Sequence, residues 1–519
     1  MTNIWHQRLG TWWIAEDHPD ALAIVESPDG QWSYRELTDS AHQLVHAFRA
    51  LGVEVGGIIA VLAPNGVLPI QVSLACEEAG WTLLLVNSYL TADEIATILD
   101  HAGVALFVVH ESHRSVLAGR QGEQIRAMTI VAGIGDVPDV VDLDRLRDEQ
   151  PTTMPDHRIS GGTIAYSSGT TGKPKGIYRP GSRGEPSAVA NAAAVFGRAF
   201  DFRPFDGPQL VSTAMYHGGS HAYYMAALNV GHGLVIMRRF DAEETLAMIE
   251  RFKVRSAYMV PTQFHRLLQL PTTVRDKYDV SSLHSVVHSA APCPRAVKQA
   301  MFDWWGPVIW ETYGGMEGAA TIAKPSRWLA KPGTVGRAVR GVRLAILDDD
   351  GVELGPNTTG HIFYETANGF SYHGDEQSTE DAHRGSRFTI GDIGYVDDDG
   401  YLFIQDRAKD MIISGGVNIF PAEIEGVLLG HPAVGDAAVI GIPDEDWGEQ
   451  VLGVVELRAG CEPSPELTDE LLAHCAAHLA VYKRPRRIEF RTELPRTDAG
   501  KLYKRQIRDE FWKELGRRL

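Results

Sequence analysis

The sequence predicts an α/β protein with a large N-terminal domain over residues 1–408 and a smaller α+β domain over residues 409–519. Three observations lead to this expectation. Short apolar runs alternate with helical patterns in two successive blocks, which is typical of doubly wound, mostly parallel sheets. Aspartate-rich turns then mark a region of short strands, and a glycine-rich turn opens a final mixed segment. A chain of 519 residues is also too long for a single core.

The first block, about residues 1–180, contains apolar runs of strand length and a helix that its cap locates. Thr91 is followed three residues later by Glu94, which is the pattern of a capping box, and apolar residues then recur at helical spacing. The block therefore predicts one mostly parallel sheet. Its predicted strands are 58–63, 82–86, 105–110 and 128–132.

The second block, about residues 181–340, repeats the alternation and has a helix capped by Asp241. Polar or small residues stand just beyond three of its predicted strands, at 216–219, 289–292 and 311–318. Ligands of open α/β sheets bind at the carboxyl ends of the strands, so we expect these segments to share one crevice. The predicted strands are 209–215, 234–237, 256–260, Ser285–His288 and 308–310.

The remaining chain predicts two smaller units. From 341 to 408, tight turns at 348–351 and 397–400 indicate short antiparallel strands, which we expect to form a small β-barrel. Beyond residue 409, Pro421 is suited to the first turn of a helix, and alternating strand and helix patterns continue to the end.

Composition and charge narrow the class of protein. A formal charge of −18 argues against nucleic acid as a partner, because binding to phosphate backbones needs a basic surface. The four cysteines are scattered, which indicates neither a disulfide framework nor a zinc site. We find no signal-peptide pattern, and apolar runs end well before the ~20 residues that a membrane span needs. We expect a cytoplasmic protein without integral membrane association, and leave monomer and homodimer open.

The stretch from Thr163 to Arg179 carries the strongest functional signal. Hydroxyls and glycines alternate directly after an apolar run of strand length. Glycines let backbone N–H groups turn towards an oxyanion, hydroxyls donate further hydrogen bonds, and lysine offsets charge. The spacing differs from the Walker loop, which needs Ser or Thr where Pro174 follows Lys173. The candidate phosphate-binding residues are Ser167, Ser168, Gly169, Thr170, Thr171, Gly172 and Lys173.

An ordinary solvated loop often has this composition, but the unbroken run from Tyr166 to Gly176 shifts the balance. It resembles the phosphate-binding signature of the acyl-adenylate-forming superfamily, which includes acyl-CoA synthetases, aryl-CoA ligases, peptide-synthetase adenylation domains and luciferase. Other segments resemble further motifs of this superfamily in the same order, so the resemblance covers most of the chain. These segments are 216–219, 289–292, 311–318, 388–394 and 494–502.

The resemblance implies how ATP and Mg²⁺ would be bound. Tyr313 would stack on adenine, Asp392 would accept hydrogen bonds from both ribose hydroxyls, and Arg407 would help to hold the ribose. Glu317 would bind Mg²⁺. Met316 stands where the family usually has a threonine whose hydroxyl contacts phosphate, so we expect that contact to be missing. Further nucleotide contacts are expected from Ala290, Ala291, Glu311, Thr312 and Gly314.

The resemblance also implies an acyl pocket beside the nucleotide. His217 would stand as a gate between the two pockets, although a single histidine at such a position is more often a helix-capping or core residue. Small residues around the pocket are expected to leave width for a bulky or ring-bearing acid. The predicted acyl-pocket residues are His217, Gly218, Gly219, Tyr223 and Gly315.

By the same resemblance, the C-terminal domain is mobile. Lys409 occupies the family's hinge position, and Lys501, in the last motif, would reach the reacting carboxylate as a catalytic residue. Rotation about Lys409 would withdraw Lys501 and bring Ser414, Gly415 and Gly416 beside the adenylate. The two glycines would leave room there for the narrow pantetheine chain of coenzyme A.

The implied activity is that of an acid–thiol ligase. A carboxylate attacks the α-phosphorus of ATP, giving acyl-AMP and pyrophosphate, and the thiol of coenzyme A then attacks the activated carbonyl. We expect the acid to be medium-sized or large, and apolar or ring-bearing. Two alternatives stay open: an amide-forming ligase that passes the acyl group to an amine, and a nucleotide-binding regulator without catalysis, which only Met316 favours.

Overall fold

The structure is a computed structural model that describes residues 8–26, 30–167, 175–366, 370–496 and 502–513. Helices and strands alternate along these ranges, and no helix within them combines the length and the apolar character needed to cross a bilayer. The helices are Thr11–Asp17, Tyr34–Ala50, Val67–Ala79, Ala92–Ala102, Gly119–Met128, Leu143–Asp148, Pro186–Ala199, Gly218–Asn229, Ala242–Phe252, Pro261–Gln269, Thr272–Arg275, Arg295–Trp305, Pro325–Ala330, Glu376–Ala382, Pro421–Leu428, Pro465–His478 and Lys504–Lys513.

The first sheet has eight strands and confirms the four strands predicted in the first block, with ends shifted by one or two residues. Neighbouring strands are parallel except at one edge, where the strand after residue 174 turns back antiparallel. In spatial order, the strands are Ser371–Tyr372, Lys175–Arg179, Gly162–Ser167, Thr82–Leu85, Ile58–Leu62, Val104–His110, Ile130–Ile134 and Val141–Asp142.

The second sheet has nine strands, of which the central ones are parallel. Two strands near the N-terminus complete one edge, so this sheet takes up residues from the first block. In spatial order, the strands are Arg337–Ala338, Gly318–Ala323, Ile309–Gly315, Ser285–His288, Ser256–Met259, Gln209–Val211, Leu234–Ile236, Leu22–Glu26 and Gly30–Ser33.

One predicted strand of this sheet is much longer than expected. The apolar run predicts only 308–310, whereas the observed strand is Ile309–Gly315. It continues because Gly318–Ala323 pairs with it antiparallel and satisfies the backbone of the polar residues. Most of segment 311–318 therefore forms a strand rather than standing beyond one.

The β-rich region is a six-stranded antiparallel sheet. Its described ladders form an open path, so the predicted barrel is observed as a sheet. The strands run His383–Arg384, Arg387–Phe388, Gly360–Thr366, Asp392–Val396 and Leu402–Arg407, with Val342–Leu347 also paired to Gly360–Thr366.

The C-terminal sheet has five strands, all antiparallel except one. Helices Pro421–Leu428 and Pro465–His478 pack on it through a buried apolar cluster that includes Ile424 and Leu471. Its strands run Val417–Ile419, Ile412–Ser414, Gly448–Leu457 and Val434–Asp444, and Arg487–Arg491 lies parallel to Gly448–Leu457.

The helices that cover the sheets begin where their caps predict. Glu94 accepts a hydrogen bond from the Thr91 N–H at 2.8 Å, and Thr91 Oγ1 accepts from the Glu94 N–H at 3.4 Å, which completes the capping box. Asp241 Oδ1 accepts from the Glu244 N–H at 2.8 Å. Apolar clusters fill both faces of each large sheet. The α/β class of the fold is thus confirmed, while the boundaries at 180, 340 and 408 stay predictions.

Candidate active site

Three of the predicted segments meet at the carboxyl edge of the second sheet. His217 stands at the start of helix Gly218–Asn229, after the strand Gln209–Val211. Ala290 follows the strand Ser285–His288, which Ser256–Met259 separates from Gln209–Val211, and has a φ of 73°, which is uncommon for a residue with a β-carbon. Because the next strand in the sheet carries Tyr313, the three segments share one edge, as predicted.

The predicted ribose site is a buried carboxylate held between two sheets. Asp392 is 4% exposed and accepts a hydrogen bond from the hydroxyl of Tyr313 to Oδ2 at 2.6 Å. Arg407 Nε lies 3.3 Å from Oδ1 of the same carboxylate, since the two residues are partners on adjacent strands. Burial, with Tyr364 and Asp392 nearby, raises the pKa of Tyr313 well above its ordinary value, so its hydroxyl stays a donor.

Glu317 lies close to this pair, in the turn between two strands of the second sheet. The hydroxyl of Tyr372 donates a hydrogen bond to Glu317 Oε1 at 3.1 Å. The other carboxylate oxygen, Oε2, lies so close to Gly315 that a β-carbon on that residue would clash with it. The guanidinium of Arg179 donates to the backbone oxygen of Met316 through Nε at 2.8 Å and through Nη2. The turn is thus fixed by residues of the first sheet.

The half-buried Glu317 carboxylate fits the ligand chemistry of Mg²⁺ in nucleotide sites. Such ions commonly take one or two carboxylates together with phosphates and water. No group of three or more His, Cys, Asp or Glu in the described part of the chain could hold a metal by itself. An ion at Glu317 would therefore depend on phosphates of the nucleotide for further ligands.

The predicted phosphate loop lies between two described strands. The strand Gly162–Ser167 precedes the loop, and the strand Lys175–Arg179 follows it. Lys175 Nζ lies 5.0 Å from the ring centroid of Tyr372, the residue that donates to Glu317. The Lys175 end of the loop is therefore near Glu317. The side chain of Ser167 and the predicted residues Ser168, Gly169, Thr170, Thr171, Gly172, Lys173 and Lys501 lie outside the described structure.

The predicted acyl side of the site begins at His217. Its ring makes no capping hydrogen bond, although the residue is the N-cap of its helix, and its buried Nε2 lacks a hydrogen-bond partner among the described residues. Burial lowers the pKa of His217 to about 4, so the ring is neutral near pH 7. A neutral ring with an unused nitrogen is compatible with the predicted gate, and that role stays a prediction.

The glycines on this side do not leave the open width that the sequence analysis expects. A β-carbon added at Gly218 would overlap the thioether sulfur of Met316, and one added at Gly219 would stand 2.7 Å from the hydroxyl of Tyr258. Tyr258 in turn stacks on Tyr223, with ring centroids 4.5 Å apart and planes at 11°. The expectation of width is therefore wrong at these positions, because Met316 from a turn and Tyr258 from the strand Ser256–Met259 occupy the space.

Glu311, a predicted nucleotide contact, has its carboxylate engaged elsewhere. Lys298 Nζ donates to Glu311 Oε2 at 2.5 Å, and His288 Nε2 lies 3.6 Å from the same oxygen. Lys298 and His288 are 0% exposed, so this is a buried ion pair beneath the helix Arg295–Trp305. Burial raises the pKa of Glu311, while Lys298 opposes the rise. The side chain serves packing of this helix against the sheet.

The predicted hinge and coenzyme A segments are adjacent in the fold. Lys409 lies in the short 3-10 turn Ala408–Asp410, directly after the strand that carries Arg407. Gly415 and Gly416 both have positive φ, 58° and 79°, which suits the two-residue turn between Ile412–Ser414 and Val417–Ile419. Their predicted roles are not tested by this geometry.

Two residues that contact the site were missed by the sequence analysis. Tyr372 donates to Glu317, and Arg179 holds the turn at Met316. Tyr372 reaches this place because Ser371–Tyr372 pairs with Lys175–Arg179 across a long stretch of sequence. Arg179 ends the stretch that carries the phosphate-binding signature, but no spacing in the sequence indicates its contact with Met316 or the position of Tyr372.

Comparison with protein families gives two matches. The model of the family described as AMP-binding enzyme matches residues 11–371, and that of the AMP-binding enzyme C-terminal domain matches residues 423–501. Fatty acid–[acyl-carrier-protein] ligase ScoC of Streptomyces coeruleorubidus is 31% identical over 499 residues, covering 94% of this chain and 93% of the relative. The 2-succinylbenzoate–CoA ligase of Geobacillus kaustophilus (strain HTA426) is 32% identical over 494 residues, covering 94% and 95%.

Solved structures with the same fold include enzymes with different acyl acceptors. The anthranilate CoA ligase AuaEII, in complex with anthranoyl-AMP, has a TM-score of 0.86 and 26% identity, covering 98% of this chain and 99% of that one. The amide bond synthetase McbA from Marinactinospora thermotolerans has a TM-score of 0.82 and 25% identity, covering 96% and 99%.

Proposed function

Because this chain belongs to the AMP-binding enzyme family, we propose that it activates a carboxylic acid with ATP and transfers the acyl group to coenzyme A. The first step gives acyl-AMP and pyrophosphate, and the second gives acyl-CoA and AMP. Nearly full-length relatives that are acid–CoA ligases support this assignment.

One observation carries the proposal most directly. Asp392 is a buried carboxylate that faces Tyr313 and Arg407, with Glu317 in the adjoining turn. Both oxygens of a carboxylate accept hydrogen bonds, which suits a ribose diol, and the aromatic ring of Tyr313 suits a purine face. A buried anion beside a tyrosine and an arginine has a clear use in orienting a nucleoside, whereas it adds little to stability by itself.

The first step brings a carboxylate onto the triphosphate, so its barrier is largely electrostatic. Lys501 and the loop residues Ser168 and Lys173 would offset the charge that develops and align the reacting atoms. When bound, Mg²⁺ would lie at Glu317 and supply further charge neutralisation. The carboxylate oxygen forms a bond to the α-phosphorus as the bond from phosphorus to pyrophosphate breaks. No covalent bond to a protein side chain is needed.

The second step needs another surface over the same acyl-AMP. After pyrophosphate leaves, rotation about Lys409 would withdraw Lys501 and bring Gly415 and Gly416 to the adenylate. The thiolate attacks the acyl carbon, and the bond from that carbon to the adenylate oxygen breaks, which releases AMP.

We propose a fatty or ring-bearing acid as the substrate. The acyl side offers aromatic surface from Tyr223 and Tyr258, which are 4% and 7% exposed, and a neutral His217 rather than a charged partner. The relatives ScoC, 2-succinylbenzoate–CoA ligase and AuaEII act on acids of these two kinds. All four cysteines are free thiols, which supports a cytoplasmic location.

An amine is the second candidate acceptor, because the amide bond synthetase McbA has the same fold over 96% of this chain. The adenylation step is shared by both candidates. They differ only in whether a thiol or an amine attacks acyl-AMP, so an assay of products separates them.

The test is pyrophosphate release from Mg-ATP over a panel of fatty and aromatic acids, with mass spectrometry of products. Parallel reactions contain coenzyme A, a panel of amines, or neither. We expect acyl-AMP without an acceptor and acyl-CoA with coenzyme A. Amide formation with no thioester would select the second candidate, and absence of both acyl-AMP and pyrophosphate across the panel would reject adenylation.

A further inference from the structure

Asp406, next to Arg407, connects two parts of the fold. It lies in the strand Leu402–Arg407 of the β-rich sheet and is 7% exposed. Its Oδ1 accepts a hydrogen bond from the backbone N–H of Arg407 at 2.8 Å, and its Oδ2 accepts one from the backbone N–H of Ala422 at 2.8 Å. Ala422 is in the first turn of helix Pro421–Leu428, which packs on the C-terminal sheet. One carboxylate thus binds backbone on both sides of Lys409.

A half-buried cation interacts electrostatically with this carboxylate. Lys504, in the first turn of helix Lys504–Lys513, pairs with Glu425 at 2.7 Å and is electrostatically coupled to Asp406. Glu425 Oε1 also accepts from the N–H of Val439 at 2.8 Å. Asp406, Glu425 and Lys504 therefore form one partly desolvated network, and its only member from the β-rich sheet is Asp406.

A second contact joins the C-terminal sheet to the second sheet's helices. His265 Nε2 lies 2.5 Å from the backbone oxygen of Gly435, and His265 belongs to Pro261–Gln269, the helix that follows the strand Ser256–Met259. Arg496, just before residues 497–501, forms a bidentate pair with Asp436 beside this contact. Arg496 therefore lies on the side of the C-terminal domain that contacts the helix Pro261–Gln269.

The turn predicted to face coenzyme A points elsewhere in this arrangement. Ile413 and Val417, which flank the turn at Gly415, are 51% and 44% exposed, and Trp447 beside it is 49% exposed. The structure thus has the Arg496 side of the C-terminal domain against the helix Pro261–Gln269, and the glycine turn in solvent. The proposed second half-reaction needs this turn at the adenylate, so we assign the observed arrangement to the first half-reaction.

We propose that Asp406 is a positioning residue that holds the C-terminal domain in the adenylate-forming arrangement, through Ala422 and Lys504, and must release both before thioester formation. The inference rests on the proposed two-step function. Rotation about Lys409 moves Ala422 and Lys504 together away from Asp406, so the network sets the balance between the two arrangements.

Asp406→Asn tests this with little change of shape. An amide has one acceptor oxygen, whereas both oxygens of Asp406 accept backbone N–H groups, so one of the two bonds must be lost. The matched control is Asp398→Asn, in an exposed turn of the same sheet, where the carboxylate accepts only from Asn357 in the described contacts. Lys504→Met, which removes the cation, is the second variant.

The first readout is a distance that does not require catalysis. Spin labels are placed at Val195→Cys and Val481→Cys, which are 64% and 76% exposed and lie on different sides of Lys409, with Cys293 and Cys461 replaced by serine. We expect one dominant distance in the parent and in Asp398→Asn. Asp406→Asn and Lys504→Met should add a second population. An unchanged distribution in both variants overturns the proposal.

The second readout is the ratio of the half-reactions. Acid-dependent pyrophosphate exchange should fall about tenfold in Asp406→Asn, while conversion of supplied acyl-AMP to thioester should be equal or faster. An equal fall in both half-reactions, with a single distance population, would show a merely structural role and also overturn the proposal. If the parent enzyme has no pyrophosphate exchange with any acid, the proposed function fails, and the distance measurement still decides whether Asp406 holds the domain.

Discussion

The nucleotide side and the acyl side of the candidate site are held by different kinds of contact. On the nucleotide side, Asp392, Tyr313 and Arg407 meet through charge and hydrogen bonds between two sheets. On the acyl side, Met316 packs over Gly218 and the Tyr258 hydroxyl packs over Gly219, with no charge involved. The difference suggests that the chemistry of activation depends on fixed charges, while the choice of acid depends on side-chain volume.

Loss of the buried carboxylate should have the largest effect. Asp392→Asn keeps the shape but removes the charge beside Arg407, and we expect adenylation to fall about 100-fold, mostly through the Michaelis constant for ATP. Initial rates of pyrophosphate release at varied ATP measure it. Asp398→Asn, in the exposed turn of the same sheet, should be unchanged. An ATP dependence like that of the parent would remove Asp392 from the nucleotide site.

Glu317→Gln should have the next largest effect. We expect the rate of adenylation to fall about tenfold or more and the Mg²⁺ requirement to rise, because an amide is a much weaker ligand for a hard cation. Titration of activity with Mg²⁺ measures this. Tyr372→Phe is the matched control, since it removes the hydrogen bond to Glu317 but keeps the carboxylate. If the magnesium dependence of both variants equals that of the parent, Glu317 does not hold the ion.

On the acyl side, Gly219→Ala should change acid preference by about tenfold and leave the Michaelis constant for ATP within about twofold. The added methyl group must avoid the Tyr258 hydroxyl, 2.7 Å away, and will displace the ring that lines the pocket. Competition between two acids of different width, followed by mass spectrometry, measures the preference. Adding Tyr258→Phe should restore part of the parent's acid preference. A change in the Michaelis constant for ATP without a change in acid preference would contradict the division between the two sides.

Met316→Thr should cause a smaller change in activity, and it should affect both the nucleotide side and the acyl side. A threonine hydroxyl can donate to phosphate, so we expect pyrophosphate release to rise about threefold, the effect of one modest hydrogen bond. The shorter side chain also frees the space over Gly218, so Gly218→Ala should be tolerated better together with Met316→Thr than alone. Steady-state rates of the three variants check this, and strictly additive effects would count against contact between the two positions.

The smallest expected effect is on stability at low pH. Burial lowers the pKa of His217 in the folded protein to about 4 from the usual 6.5. Above pH 6.5 the ring is neutral in both the folded and the unfolded chain, so the stability does not depend on its titration. As the pH falls from 6.5 towards 4, the unfolded chain binds a proton first, and the folded state loses stability relative to it. His217→Phe should therefore show a shallower decline in melting temperature between pH 6.5 and 4. Identical slopes would indicate that the ring is not buried as described.

The contrast between the two sides also marks what the sequence could predict. The predicted nucleotide residues Asp392 and Arg407 belong to continuous motifs, and the structure brings them together because they lie on strands that the turn at 397–400 connects. The width of the predicted acyl side was misjudged because a glycine does not reveal which neighbour fills the space beside it, and here Met316 comes from a turn and Tyr258 from a strand. Tyr372 was missed for the same reason, since its position depends on pairing with Ile177.

The longer strand Ile309–Gly315 gives the same lesson for the fold. Apolar runs predict buried strands well, as Ser285–His288 and Ile58–Leu62 illustrate, but polar residues extend a strand when an antiparallel partner is present. The partner of Asp406 could not be predicted either, because tertiary packing brings Ala422 to it.

The most direct test of the account follows the oxygen atoms of the acid. With both carboxylate oxygens labelled with oxygen-18, attack on the α-phosphorus places one labelled oxygen in AMP after the acyl group is transferred. We predict AMP that carries one oxygen-18 atom, together with unlabelled pyrophosphate. Label in orthophosphate or pyrophosphate, or unlabelled AMP formed together with the acyl product, would contradict acyl-adenylate formation.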